Sequence, residues 1–139
     1  EELLLGVCDP PAEGGWNAPQ QAYERRNTAA RGSEAAALLA PLTRLTRLDL
    51  SGHGMGAEGL GRLTAPLQSL PLTDLDLRSN RLDIAAVGSL SSILAAHPAL
   101  RRLRLGRFAG GLGYEERNPL HAEGVERLAA AVGGLRGLT

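Results

Sequence analysis

Leucines recur in this chain on a fixed spacing, and that spacing restricts the fold more than any other feature. Leu45, Leu48 and Leu50 in LTRLDLSGHGMGAEGLGRL (45–63) return as Leu72, Leu75 and Leu77 in LTDLDLRSNRLDIAAVGSL (72–90), 27 residues later. His53 aligns with Asn80, Met55 with Leu82 and Leu63 with Leu90. A third copy begins 28 residues on with Leu100, Leu103 and Leu105. It resumes at Asn118-Pro-Leu120-His-Ala-Glu-Gly124-Val-Glu-Arg-Leu128, and Leu138 then stands where Leu45 and Leu72 stood. A repeat of this length marks stacked supersecondary units, none of which can bury its apolar face alone.

Each unit reads as a short strand followed by a helix. In Leu48-Asp49-Leu50 the alternation points the two leucines to one face and Asp49 to the other, so one side of the strand is buried and one is open. Helical spacing follows in Leu60, Leu63 and Leu67 and in Val87, Leu90 and Leu94. The expected helices cover roughly 32–40, 57–69, 84–96 and 122–132. Asp83 is placed to cap the third, and Pro98 to stop it.

One motif argues for a different fold. Gly54-Met-Gly56-Ala-Glu-Gly59 is a literal G-x-G-x-x-G, the pattern that lets backbone approach a pyrophosphate at a helix N-terminus. Asp74 and Asp76 lie near the distance expected for a ribose-binding acid. A strand buried between two helical layers should nevertheless be continuously apolar, and this one alternates. Three residues separate it from Gly54, and the sister stretch Asn80-Arg-Leu-Asp-Ile-Ala keeps the leucines without the glycines. Gly54, Gly56 and Gly59 are therefore expected to serve turns and close packing, and no cofactor is expected.

The spacing L-x-x-L-x-L-x-x-N-x-L followed by a helix resembles the leucine-rich repeat family, and the 27–28 residue length resembles its ribonuclease-inhibitor-like class. The resemblance implies an α/β solenoid with a curved parallel sheet inside and helices outside. It implies about four repeats, near 1–41, 42–68, 69–96 and 97–134, with a further one starting at 135–139. It also places Asn27, His53, Asn80 and Asn118 at the family's ladder position, where a side-chain amide bonds otherwise orphaned backbone of the turn. His53 departs from the pattern, and a neutral imidazole replaces one such bond, so that rung is expected to be weaker.

Two of these units are enlarged between strand and helix. The gap from Leu50 to His53 and from Leu77 to Asn80 is three residues, but Leu105 to Asn118 spans thirteen and Leu5 to Asn27 spans 22. The insertions, approximately 6–26 and 106–117, end alike in Tyr23-Glu-Arg-Arg-Asn27 and Tyr114-Glu-Glu-Arg-Asn118. All four aromatics lie in them. Tyr23 and Tyr114, each beside an equivalent Asn, read as cover for the scaffold edge. Trp16 and Phe108 read equally as cover or as interface anchors, since long loops in compact domains are often functional.

The open strand positions carry charge. Asp49, Asp76 and Arg104 form one row, and Arg47, Asp74 and Arg102 the next, with Arg101 and Arg107 beside them. The face is expected to run from mixed to acidic to basic and to grip a protein partner of matching charge, with Arg101, Arg102, Arg104, Arg107, Phe108, Asp74, Asp76 and Trp16 as its contacts. Arg forks suit carboxylates. The competing reading is that Asp and Arg neutralise each other across strands.

Fifteen Arg balance fifteen Asp plus Glu in 139 residues, so no net field favours nucleic acid or an anionic membrane. No apolar run approaches a membrane span of about 18 residues. The single Cys8 leans towards a reducing, intracellular and cytoplasmic setting. His53, His97 and His121 are far apart in the repeat, and no Cys or His spacing indicates a metal. These patterns favour a non-enzymatic interaction scaffold, read as a piece of a longer chain or larger assembly. Two alternatives stand beside it: a purely architectural segment, and a regulator resembling the Ran GTPase-activating type, with an Arg of the 101–107 cluster acting on phosphate charge.

Overall fold

Strand formation follows the leucine alternation. The structure, a computed structural model, describes residues 2–4, 32–106, 118–133, 135 and 137–138. Four short strands, β1 (Glu2–Leu4), β2 (Arg47–Asp49), β3 (Asp74–Asp76) and β4 (Arg102–Arg104), form one parallel sheet in chain order. Their register pairs Leu3, Leu48, Leu75 and Leu103 in one row across the sheet. Parallel neighbours need a crossover, and helices supply it. These are α1 (32–39), α2 (Gly56–Gln68), α3 (Val87–Ala96) and α4 (His121–Val132).

One apolar layer joins strands to helices. Leu45, Leu48 and Leu50, then Leu72, Leu75 and Leu77, are buried against Leu60, Leu63 and Leu67 of α2 and Leu90, Ile93 and Leu94 of α3. Among the described residues aliphatic side chains, mostly leucine, fill this layer at close packing. Helices α2 and α4 begin within a residue of their expected starts, and α3 begins later. There a single 3₁₀ turn, Ile84–Ala86, precedes the helix, with the Asp83 carboxylate accepting from Ala85 N at 3.0 Å. At the far end of α3 His97 is buried, its Nδ1 2.6 Å from Ile93 O and its Nε2 3.0 Å from Leu70 O. The ring thus ties the end of α3 to the segment that follows α2.

The glycine motif is structural. Gly54 and Gly56 have φ of +57° and +61°, a left-handed backbone that a Cβ disfavours. In the next unit Ser79 and Arg81 stand at the positions of Gly52 and Gly54 and keep the same hand, with φ of +55° and +58°. The turn therefore holds its shape with or without glycine. Gly59 has a different duty: a Cβ added to Gly32 in α1 would fall 2.5 Å from Gly59 O and 2.7 Å from its Cα. Lacking a Cβ, Gly32 lets the Gly59 backbone of α2 approach α1 that closely.

Candidate functional site

The turns after the strands carry the ladder. Asn118 donates from Nδ2 to Leu105 O at 2.7 Å and to Leu77 O of the preceding unit at 2.8 Å. Its Oδ1 accepts from Asn80 N at 2.9 Å and from Leu82 N at 3.0 Å. All four polar valences are used on backbone that the short strand leaves unpaired. Asn80 repeats only half of this. Its Nδ2 donates to Leu50 O at 2.7 Å and to Arg78 O at 3.3 Å, while its fully buried Oδ1 has no hydrogen-bond partner. The preceding turn is tied to this rung through backbone, with Gly56 N donating to Asn80 O at 2.8 Å. His53 holds the same register position, with Nδ1 3.0 Å from both Leu50 O and Ser51 O. Asn27 lies outside the described residues.

The other face of the sheet is open, and its charged residues are paired by the register. Arg47, Asp74 and Arg102 face one another across β2, β3 and β4, as do Asp49, Asp76 and Arg104. Arg102 Nη1 lies 3.0 Å from Asp74 Oδ1, and Thr73 Oγ1 donates to Asp74 Oδ2 at 2.9 Å. Asp49 and Asp76 are like charges directly opposite, an arrangement that destabilises a sheet unless a cation intervenes. Arg78 intervenes. Its Nε donates to both oxygens of Asp76, at 2.9 and 3.0 Å, and its Nη2 donates to Oδ2 at 2.7 Å. The hydrogen bond to Asp76 is the largest cause holding the Arg78 guanidinium above its ordinary basicity; partial burial opposes it, and the charges of Asp76 and Asp49 add to it.

Both aspartates also shape the chain. Asp49 Oδ1 accepts from Ser51 N at 2.8 Å, and Asp76 Oδ1 from Arg78 N at 3.1 Å, each closing the turn two residues on. Asp76 is almost wholly buried, so its carboxylate serves the fold as much as the surface. Arg104 meets it more loosely, 3.6 Å from Oδ2. Between the strands lies a shallow hollow of about 50 Å³, floored by Leu48 and Leu75 and walled by Arg47, Asp49, Asp74, Asp76 and Arg104.

The structure thus brings together Asp74, Asp76, Arg102 and Arg104 from the sequence-based set, with Arg101 exposed just before β4. Trp16, Arg107 and Phe108 lie outside the described residues. Sequence reasoning missed Arg78. Its signal was available: two residues after Asp76, it stands where the alternation returns a side chain to the same face. Among the described residues no group of three His, Cys, Asp or Glu side chains is placed to hold a metal ion, and no helix is long and apolar enough to cross a membrane.

Parallel strands, a turn with an amide ladder and a helix, repeated along the chain with one sheet face left open, define an α/β array of leucine-layered units. One of those units is similar to a known family: residues 42–63 match the family model described as Leucine Rich repeat, a family that generally serves in protein binding. No curated protein matches the chain.

Proposed function

We propose that the chain is a protein-binding module that works through the open face of its sheet and performs no chemistry of its own. One observation carries this reading. The fold uses only alternate strand residues for its core, and the others display Arg47, Arg102 and Arg104 on a surface that none of the described helices covers. The ribonuclease-inhibitor-like class fits the 27- and 28-residue strand spacing and the full helices of 13, 10 and 12 residues. In this reading the chain holds about four repeats. Its insertions near 6–26 and 106–117, with Trp16, Arg107 and Phe108, extend the binding surface beyond the strands.

The absence of intrinsic chemistry is supported by how the polar groups are spent. Asp74 and Asp76 are engaged by Arg102, Arg78 and backbone, and His53 and His97 meet backbone carbonyls. The test is affinity capture with mass spectrometry, using the full-length protein in its natural form and as R102E/R104E. Proteins retained by the first and lost from the second identify the open face as the contact surface. An unchanged set of captured proteins removes that face from consideration.

A further inference from the structure

The charges of the two paired rows of strand residues cancel by count but not by depth, and this says what the open face accepts once it is taken as a binding surface. Three arginines, Arg47, Arg102 and Arg104, stand against three aspartates, Asp49, Asp74 and Asp76. The Asp76 and Asp74 side chains are only 4% and 18% exposed, whereas those of Arg102 and Arg104 are 54% and 53% exposed. A molecule approaching the sheet therefore meets guanidinium before carboxylate.

Arg102 and Arg104 also keep most of their donors. A guanidinium has five N–H groups in a planar fork. Arg102 touches Asp74 through Nη1 alone, and the 3.6 Å contact of Arg104 with Asp76 is beyond hydrogen-bond length. Both side chains leave the same face of β4 two residues apart, a step of about 6.6 Å along the strand. An extended polypeptide has the same step between alternate side chains, so carboxylates at positions i and i+2 can meet Arg102 and Arg104 in register.

Resting on the protein-binding reading, we propose that the open face binds an extended, carboxylate-rich protein segment with acidic residues at alternate positions, lying along β4 against Arg102 and Arg104. A basic segment is disfavoured because Asp74 and Asp76 are recessed and already paired. A nucleic acid is disfavoured because binding a polyanion draws on many phosphate contacts and a positive field, while the chain's formal net charge is zero.

The probes are fluorescent ten-residue peptides of alternating Glu-Thr, Gln-Thr and Lys-Thr, and a ten-nucleotide single strand, titrated with the 139-residue chain by anisotropy at about 50 mM salt. Glu-Thr is expected to bind at least about tenfold more tightly than Gln-Thr or the oligonucleotide. That advantage should disappear in R102Q/R104Q and grow in D74N, which releases Arg102 from its partner. Circular dichroism checks each variant for folding. Should the double variant unfold, R104Q alone carries the test, since it breaks only the long contact. Equal binding of Glu-Thr and Gln-Thr, preference for Lys-Thr, or tighter binding of the oligonucleotide overturns the proposal. If the capture experiment with R102E/R104E still shows lost partners, only the acidic-segment inference has failed; if it shows none, the binding surface itself has been misplaced.

Discussion

Replacing Asn118 with Ala should cost far more stability than replacing Asn80 with Ala, although Asn80 is the more deeply buried of the two. Asn118 makes four hydrogen bonds to backbone groups of two successive units, at 2.7 to 3.0 Å. At a net value of about 1 kcal/mol each, the loss is about 4 kcal/mol. Asn80 makes two, at 2.7 and 3.3 Å, and the better acceptor, Leu50 O, keeps His53 Nδ1 at 3.0 Å after truncation. Alanine there also removes the buried Oδ1 that has no partner. The expected loss is about 1–2 kcal/mol, including the space left behind. With a urea m-value of about 2 kcal/mol/M, the midpoint should fall by about 2 M for Asn118→Ala and by about 0.5–1 M for Asn80→Ala. Urea titrations followed by circular dichroism measure both. Burial alone would order the two variants the other way, so a larger shift for Asn80→Ala refutes the hydrogen-bond account. A coupled cycle sharpens it: His53→Ala should cost more in the Asn80→Ala background than in the natural chain, because Leu50 O then loses its second donor.

Other perturbations test the turn, the helix contacts and the buried ion pair. Gly32→Ala should destabilise by about 1–3 kcal/mol, since its Cβ would collide with the Gly59 backbone, whereas Gly88→Ala, with nothing within 4 Å, should stabilise by about 0.5–1 kcal/mol; thermal melting separates them. Gly54→Ala should cost about 1–2 kcal/mol through its positive φ alone, because the added Cβ meets the Arg81 side chain at an ordinary 3.7 Å; a neutral result in denaturant titration would reject the left-handed turn. Arg78 has its basicity raised in the folded chain, so its contribution is complete below the unfolded value and lost only as pH rises through the folded one. The stability difference between the natural chain and Arg78→Gln should therefore stay constant between about pH 6 and 9, and a difference that shrinks over that interval contradicts the assignment.

The elements that could be read from sequence are those a period announces. Alternating leucines located β2, β3 and β4, and Leu60, Leu63 and Leu67 located α2, because burial on one face demands the same residue type at a fixed step. Asp83 signalled a cap, and its carboxylate does accept from Ala85 N, but the 3₁₀ turn it opens depends on local hydrogen bonding that carries no apolar period. Ion pairing was harder to foresee. Sequence spacing put Asp74, Asp76, Arg102 and Arg104 on one face, yet Arg78 went unnoticed because its importance comes from Asp49 and Asp76 standing opposite each other. That opposition is a property of register, not of either strand. Depth was equally hidden. Strand β3 reads as acidic in one dimension, and only packing shows its carboxylates recessed beneath the arginines of β4.

The glycine motif shows why a fold and a surface can be specified by separate residues here. Turn geometry is common to the units: Gly52 and Gly54 adopt it without strain, and Ser79 and Arg81 adopt it with side chains. A non-glycine residue in that conformation costs about 1–2 kcal/mol, so the second version persists only because something else holds the turn. The Asn118 amide does so, binding Asn80 N and Leu82 N on either side of Arg81. The preceding turn has glycines, and its counterpart Asn80 leaves its oxygen unused. Glycine and a complete amide rung are thus two physical solutions to one constraint, and each of these two turns uses one of them. Because both solutions lie in the turns, and the leucine layer lies on one face of the strands, the exposed strand positions that close no turn, Arg47, Arg102 and Arg104, are left to vary in charge without disturbing either. Asp49 and Asp76, by contrast, are held by their bonds to Ser51 N and Arg78 N.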